Sequence, residues 1–248
     1  MGEQRKVAIV TGAGQGIGAA IALKLADEGY AVAIAEYNAD NARAVADAIK
    51  AKGGLATAFQ TDVSNEESVQ SMVRLTVGEF GRIDGLVNNA GIYPKSLIVD
   101  MSKKEWDRVL AVNLKGAYLC CKYVLSEMIS RHSGKIVNLA SGHAFRGGPA
   151  FSHYAASKAG IVAMTKSIAL EVARFGIQAN VVAPGTADTT MPRQHSTEEQ
   201  MRVKAQGIPM GRLTKPEDVA EAVAYLLSDH NTFITGQTIC VNGGAVML

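Results

Sequence analysis

The stretch that most restricts the fold lies between residues 7 and 25. A short run of branched apolar residues, Val7 to Val10, stops at Thr11-Gly12-Ala13-Gly14-Gln15-Gly16-Ile17-Gly18, and helical periodicity then begins with Ala19, Ala20, Leu23 and Leu25. Branched residues favour a strand, glycines end it, and apolar residues returning every three or four places mark a helix, so the segment reads strand, tight turn, helix. The glycines let a ligand approach the backbone closely, and the free amides at the helix start form an anion site suited to a pyrophosphate. A dinucleotide is the natural occupant. The strict G-x-G-x-x-G spacing does not fit, because its third glycine falls on Ile17; the pattern here is T-G-x-x-x-G-x-G.

The same alternation continues down the chain. Ala31 to Ala35 reads as a second strand ending at Glu36, about 20 residues past the glycine turn, where a carboxylate can bind a ribose 2'-hydroxyl. A carboxylate there opposes a 2'-phosphate, and neither Gln15 nor Tyr37 supplies a cation, so NAD is expected over NADP. Asn41 to Lys52 reads as an amphipathic helix with Val45, Ala48 and Ile49 inward, and Leu55 to Gln60 as a third strand. Asp62 follows at that strand's end, open to an adenine contact or to plain turn chemistry, and Ser64-Asn65-Glu66-Glu67 has the pattern of a capping box. Ile83 to Val87 leads into Asn88-Asn89-Ala90-Gly91, two asparagines that can tie strands together or meet a cofactor, and Lys135 to Leu139 is a fifth strand. Strands apolar on both faces, separated by helices, predict an α/β fold: one doubly wound parallel sheet of Rossmann type, helices on both faces, in a single domain over 1–248.

Composition narrows the function classes. With 48% hydrophobic and 19% charged residues the chain is not a disordered one, and a formal charge of +2 from scattered basic residues gives no nucleic-acid footprint. The three cysteines, Cys120, Cys121 and Cys240, form neither a disulfide framework nor a metal-ligand spacing, which suits a reducing cytoplasmic setting. Met1-Gly2-Glu3-Gln4-Arg5-Lys6 leads straight into the first strand-like run with no long apolar signal segment, and no apolar run reaches the ~20 residues of a membrane span, so a soluble protein is expected.

Four further residues carry chemistry. Tyr154 and Lys158 stand four apart in a helical pattern running to about Phe175, so phenol and ammonium share a face, and a fixed cation beside a phenol lowers its pKa. Asn113 interrupts an apolar stripe between two helical stretches, one from Ser102 and one from Leu114 to Arg131. It reads as a helix-joining hydrogen bond or as a water holder. Ser141 lies at the end of the fifth strand without a nucleophile elbow around it, and is read as a hydrogen-bond donor.

Taken together, TGAGQGIG at 11–18, NNAG at 88–91, Asn113, Ser141, Tyr154 with Lys158, Pro184-Gly185 and the C-terminal Val241-Asn242-Gly243-Gly244 resemble the short-chain dehydrogenase/reductase family over the whole chain. The resemblance implies a catalytic set of Asn113, Ser141, Tyr154 and Lys158. Tyr154 would exchange a proton with the substrate oxygen, Ser141 would hydrogen-bond that oxygen, Lys158 would hold the nicotinamide ribose and depress the Tyr154 pKa, and Asn113 would keep a water in a relay to Lys158. It also implies cofactor contacts at Gly12, Gln15, Gly16, Ile17, Gly18, Glu36, Asp62, Val63, Asn89, Gly91, Tyr154, Lys158, Pro184, Gly185 and Thr189. Substrate contacts would fall on Ser141, His143 and Tyr154, with Tyr93, Pro94 and the stretch from His143 to Phe151 around them. Residues 186–210, with Met191, Met201 and Met210, read as a substrate lid, and a homotetramer is the assembly common in the family. The activity expected first is hydride transfer between NAD and a secondary alcohol or ketone; the alternative is a 3-oxoacyl-thioester reductase, ranked second because of Glu36. A catalytically silent dinucleotide sensor on the same fold is a third reading, opposed by the intact catalytic set.

Overall fold

In the computed structural model, which describes residues 5–248, the glycine turn sits where strand β1 (Val7–Thr11) meets helix α1 (Gly16–Asp27). Six more strands follow: β2 (Ala31–Glu36), β3 (Leu55–Gln60), β4 (Gly85–Asn88), β5 (Gly134–Leu139), β6 (Ile177–Pro184) and β7 (Thr238–Val241). All pair in parallel, in the order β3-β2-β1-β4-β5-β6-β7. The strand order reverses direction between β1 and β4, and such a switch point opens a crevice at the C-terminal strand ends where ligands bind.

Strand residues alternate between the two faces, which fixes the register against both helix layers. Val10, Val32 and Ile34 pack with Ile21 and Leu25 of α1, with α2 (Ala39–Ala51) and with Val219 and Val223 of a late helix, while Ile9, Leu86 and Ile136 pack with Met72, Val124 and Ile168 on the other side. Ile9 and Ile34 are fully buried, each contributing on the order of 2–3 kcal/mol. The second layer is α3 (Glu66–Phe80), α5 (Gly116–Ser130) and α7 (Ser152–Val172), and α10 (Pro216–Leu227) is the late helix of the first. Between them lie α4 (Lys103–Leu110), α6 (His143–Arg146), α8 (Thr190–Arg193) and α9 (Glu198–Gln206). Among the described residues no helix is long and apolar enough to cross a membrane. The sequence reading of the opening residues Met1 to Gln4 lies outside those described.

Three local readings shift. Helix α2 starts at Ala39, capped by the Asn38 side chain, and buries Ala42, Ala46 and Ile49, while the expected Ala48 lies off that three-and-four-residue stripe and faces out. The box read at Ser64–Glu67 does not form: Asn65 is the cap, accepting from the Ser68 amide, since Ser64 is drawn to Asp62. The two helical stretches around Asn113 are joined by a π-helical turn, Ala111–Lys115, with Asn113 at its centre.

Candidate active site

The glycine turn is shaped for close approach. Gly12 adopts a left-handed conformation (φ +62°), and a Cβ there would stand 2.7 Å from the Ala90 Cα. A Cβ on Gly18 would stand 2.1 Å from the Gly12 carbonyl oxygen, so turn and helix start can approach only as glycines. Gln15 is the extended residue before α1, with no side-chain cap, so among the described residues the first amides of α1, from Gly16, Ile17 and Gly18, have no side-chain partner. Asn89 buttresses the turn, its Nδ2 donating to the Thr11 and Gly12 carbonyls, while Thr11 Oγ1 accepts from the Asn89 and Ala90 amides. Asn88 ties strands instead, donating to Asn138 Oδ1 at 2.8 Å, and Asn138 donates to Thr165.

Around this turn stand the other candidate cofactor residues. The Glu36 carboxylate does not drift into solvent: it accepts from the Gly14 and Asn38 amides, each at 3.1 Å. Asp62 closes a local turn, its Oδ1 accepting from the Ser64 amide and hydroxyl, and Val63 packs on Gly116. Beyond β6, Pro184 accepts from the Gly142 amide, Gly185 donates to Val241, and the Thr189 methyl would lie 3.4 Å from a Cβ on Gly16. The loop after β6 thus reaches across the crevice to the glycine turn.

Helix α7 places Tyr154 and Lys158 on one face, with the ammonium 5.8 Å from the phenol ring centroid. Lys158 is buried and donates to the Leu139 carbonyl at 2.7 Å, and burial pushes its pKa down to about 8. Burial likewise pushes Tyr154 up to about 12, opposed by a hydrogen bond with Ser141. The lowering expected from the cation is absent in the protein alone, since Lys158 is turned to Leu139 and the loss of water outweighs it. Gly91 stands against both Lys158 and Asn113: a Cβ there would meet Asn113 Oδ1 at 3.3 Å and Lys158 Nζ at 3.7 Å. Asn113 is fully engaged, accepting from the Ile92 amide at 2.8 Å and donating to the Ile92 carbonyl and to Ser157 Oγ, each at 3.1 Å. Its side chain thus joins the π-helical turn to α7 and to the backbone at Ile92.

Sequence reasoning passed over three neighbours. His153, fully buried, accepts from the Tyr154 amide and pairs with Glu105 at 3.1 Å, tying α4 to the start of α7. Ser157 joins Asn113 to the Tyr154 carbonyl. His195, between α8 and α9, bonds the Tyr93 carbonyl at 2.9 Å; a histidine in an irregular stretch gives no sequence signal of a partner 102 residues away. His195, Tyr93, Phe151 and Lys204 line an open groove of about 420 Å³. Of the three methionines in residues 186–210, Met201 is buried in packing while Met191 and Met210 are exposed.

A doubly wound parallel sheet with a glycine cradle at its switch point, and a buried phenol and ammonium beside it, defines a dinucleotide-dependent oxidoreductase. The chain belongs to the short-chain dehydrogenase/reductase family, whose members work with a nicotinamide cofactor. The family model described as enoyl-(acyl carrier protein) reductase matches residues 12–246. The 3-oxoacyl-[acyl-carrier-protein] reductase FabG of Staphylococcus epidermidis is 44% identical over 98% of this chain and 99% of its own. That of Thermotoga maritima is 38% identical, and the (2S)-[(R)-hydroxy(phenyl)methyl]succinyl-CoA dehydrogenase subunit BbsD of Thauera aromatica 39%, each over 98% of both chains.

Proposed function

We propose that this chain interconverts a 3-hydroxyacyl and a 3-oxoacyl thioester with NAD(H) as the partner. The observation that carries the oxidoreductase part is the cluster of Tyr154, Ser141 and Lys158 beside a cradle in which Gly12 and Gly18 leave no room for a side chain. The acyl thioester reading, ranked second from the sequence, is favoured by the relatives: the FabG proteins are named for 3-oxoacyl carrier-protein substrates and BbsD for a CoA thioester bearing a secondary hydroxyl. Glu36 favours NAD. Its carboxylate is fixed by two amides, and a 2'-phosphate about 4 Å away would be opposed by about 4 kcal/mol at an effective dielectric of 20.

The residues fit the group they would hold. Gly12, Gln15, Gly16, Ile17 and Gly18 would take the pyrophosphate, and Glu36 the adenosine ribose. Asp62 and Val63 would flank the adenine, and Asn89, Gly91, Pro184, Gly185 and Thr189 would line the nicotinamide half with Tyr154 and Lys158. When bound, the nicotinamide supplies the hydride chemistry. Tyr154, protonated at neutral pH, gives its proton to the carbonyl oxygen in reduction and recovers it in oxidation; Ser141 donates a hydrogen bond to the same oxygen. Lys158 orients the ribose, and its ammonium meets the charge that develops on the Tyr154 oxygen. Asn113 holds the Ile92 backbone and Ser157 in place, and a relay water would rest against its π-helical turn. Residues 186–210 cover the groove as a lid within the single domain, with His195 its anchor on Tyr93. The protein works as a soluble cytoplasmic homotetramer.

The test is a comparison of kcat/KM for NAD and NADP with a 3-hydroxybutyryl thioester and with simple secondary alcohols. NAD and the thioester should each win by at least about tenfold. Equal use of NADP ends the cofactor reading, and a preference for simple alcohols restores the free alcohol or ketone as substrate.

A further inference from the structure

Ser141 has one hydroxyl proton and two directions in which to point it. One leads to the imidazole of His143, whose Nδ1 lies 3.4 Å from Ser141 Oγ; the other leads to Tyr154 and the substrate oxygen that would sit beside it. The His143 amide already donates to Ser141 Oγ at 3.2 Å, leaving one lone pair and the proton to be assigned. On the far side of the ring, His143 Nε2 lies 3.5 Å from the Tyr93 hydroxyl. Both side-chain contacts are at the long end, as is common before a ligand tightens a site.

The surroundings allow one polarity. Burial and the charges of Arg146 and Lys204 push His143 down to about 4, so its ring is neutral at working pH and carries a single proton. Burial pushes the Tyr93 phenol well above the ordinary range, so it keeps its proton, and a phenol is a better donor than acceptor. The rings are held for this purpose. Tyr93 stacks on Phe151 with centroids 4.1 Å apart and planes 6° from parallel, and meets Tyr154 edge-on at 4.6 Å. A Cβ on Gly148 would stand 2.5 Å from His143 Cδ2, so a glycine there leaves the imidazole its place.

We propose that Tyr93 and His143 are positioning residues for the reaction. The Tyr93 hydroxyl donates to His143 Nε2 and so keeps the ring proton on Nδ1, Nδ1–H donates to Ser141 Oγ, and the Ser141 proton is thereby turned toward the substrate oxygen. With the opposite tautomer Ser141 would donate to the ring and leave that oxygen with Tyr154 alone. The inference rests on the reading of Ser141 as the second donor to the substrate, and it names residues that set the direction of that donation.

Imidazole ¹⁵N NMR on the full chain with NADH tests it independently of turnover, the His143 signals being assigned by their loss in His143→Asn. Wild type should show the Nδ1–H tautomer, and Tyr93→Phe, which keeps the stack, should move it toward Nε2–H. The same variant should lower kcat about tenfold with KM nearly unchanged, as loss of an orienting hydrogen bond does elsewhere. In His143→Asn, whose amide can donate to Ser141 without help, adding Tyr93→Phe should cost nothing further. An Nε2–H tautomer in wild type overturns the proposal. So does a Tyr93→Phe variant with an unchanged tautomer, or with a shifted one and unaltered kcat. Should no thioester or alcohol turn over at all, the oxidoreductase reading falls on its own and the tautomer still decides this one.

Discussion

At the scale of single residues, Tyr154 and Lys158 are placed against stability. A lysine whose pKa falls to about 8 on burial, from about 10.4 in the unfolded chain, binds fewer protons folded than unfolded between those values. The cost of burying the ammonium, about 3 kcal/mol, is present in full below pH 8 and is relieved as the pH rises toward 10.4. Lys158→Met removes that cost but leaves the Leu139 carbonyl without its donor, a loss of about 1–2 kcal/mol. The variant should therefore be inactive yet more stable by about 1–2 kcal/mol at pH 7, and denaturant melts across pH 7 to 10 should lose the wild-type rise. A less stable Lys158→Met protein would mean that the buried amine is better solvated than its surroundings imply. Tyr154→Phe should lower kcat at least about 10²-fold while NADH still quenches or enhances fluorescence as in wild type; near wild-type turnover would remove Tyr154 from the chemistry. The i,i+4 spacing of this pair was readable from the sequence because helix periodicity alone puts both on one face. Its electrostatics were not, because they depend on the Leu139 carbonyl, nineteen residues away, and on burial that only the packed sheet creates.

At the scale of elements, the turn between β1 and α1 is the most exacting piece. Gly18→Ala would place a methyl 2.1 Å from the Gly12 carbonyl oxygen, a contact relieved only by moving backbone. The expected outcome is a loss of NADH affinity of at least about tenfold, measured by calorimetric titration, with a stability loss of about 1–3 kcal/mol. Gly53, which has no neighbour near its missing Cβ among the described residues, is the control, and Gly53→Ala should leave NADH affinity unchanged. The strand-turn-helix order of this element was legible because glycine and branched residues punctuate it so sharply. The π-helical turn at Ala111–Lys115 was not: no residue type announces it, and Asn113 betrayed only that something polar was wanted there. The start of α2 was displaced for a similar reason, since an Asn38 cap and an alanine stripe carry less hydrophobic signal than the Val45 and Ile49 on which the helix was first aligned.

For the whole molecule, the parallel sheet followed from runs apolar on both faces, and the switch point between β1 and β4 follows from strand order, which fixes where any ligand of such a sheet must sit. What the sequence could not rank was the surface. The four-residue β7 is an edge strand, and in the stretches before and after it in sequence Tyr225, Phe233, Met247 and Leu248 are all exposed, Phe233 almost completely. An aromatic ring left wholly in water and an open sheet edge are each a poor arrangement for an isolated chain, because both the apolar area and the unpaired edge invite a partner. A homotetramer with α10 and β7 at one of its interfaces would cover them. Light scattering coupled to size exclusion should then give the mass of four chains for wild type. Phe233→Asp should shift it to two chains, since a carboxylate buried in an interface would have no partner, while a second pair of contacts elsewhere on the surface would hold the dimer. A wild-type mass of one chain, or a Phe233→Asp protein that remains a tetramer, would place the assembly surface elsewhere or remove it.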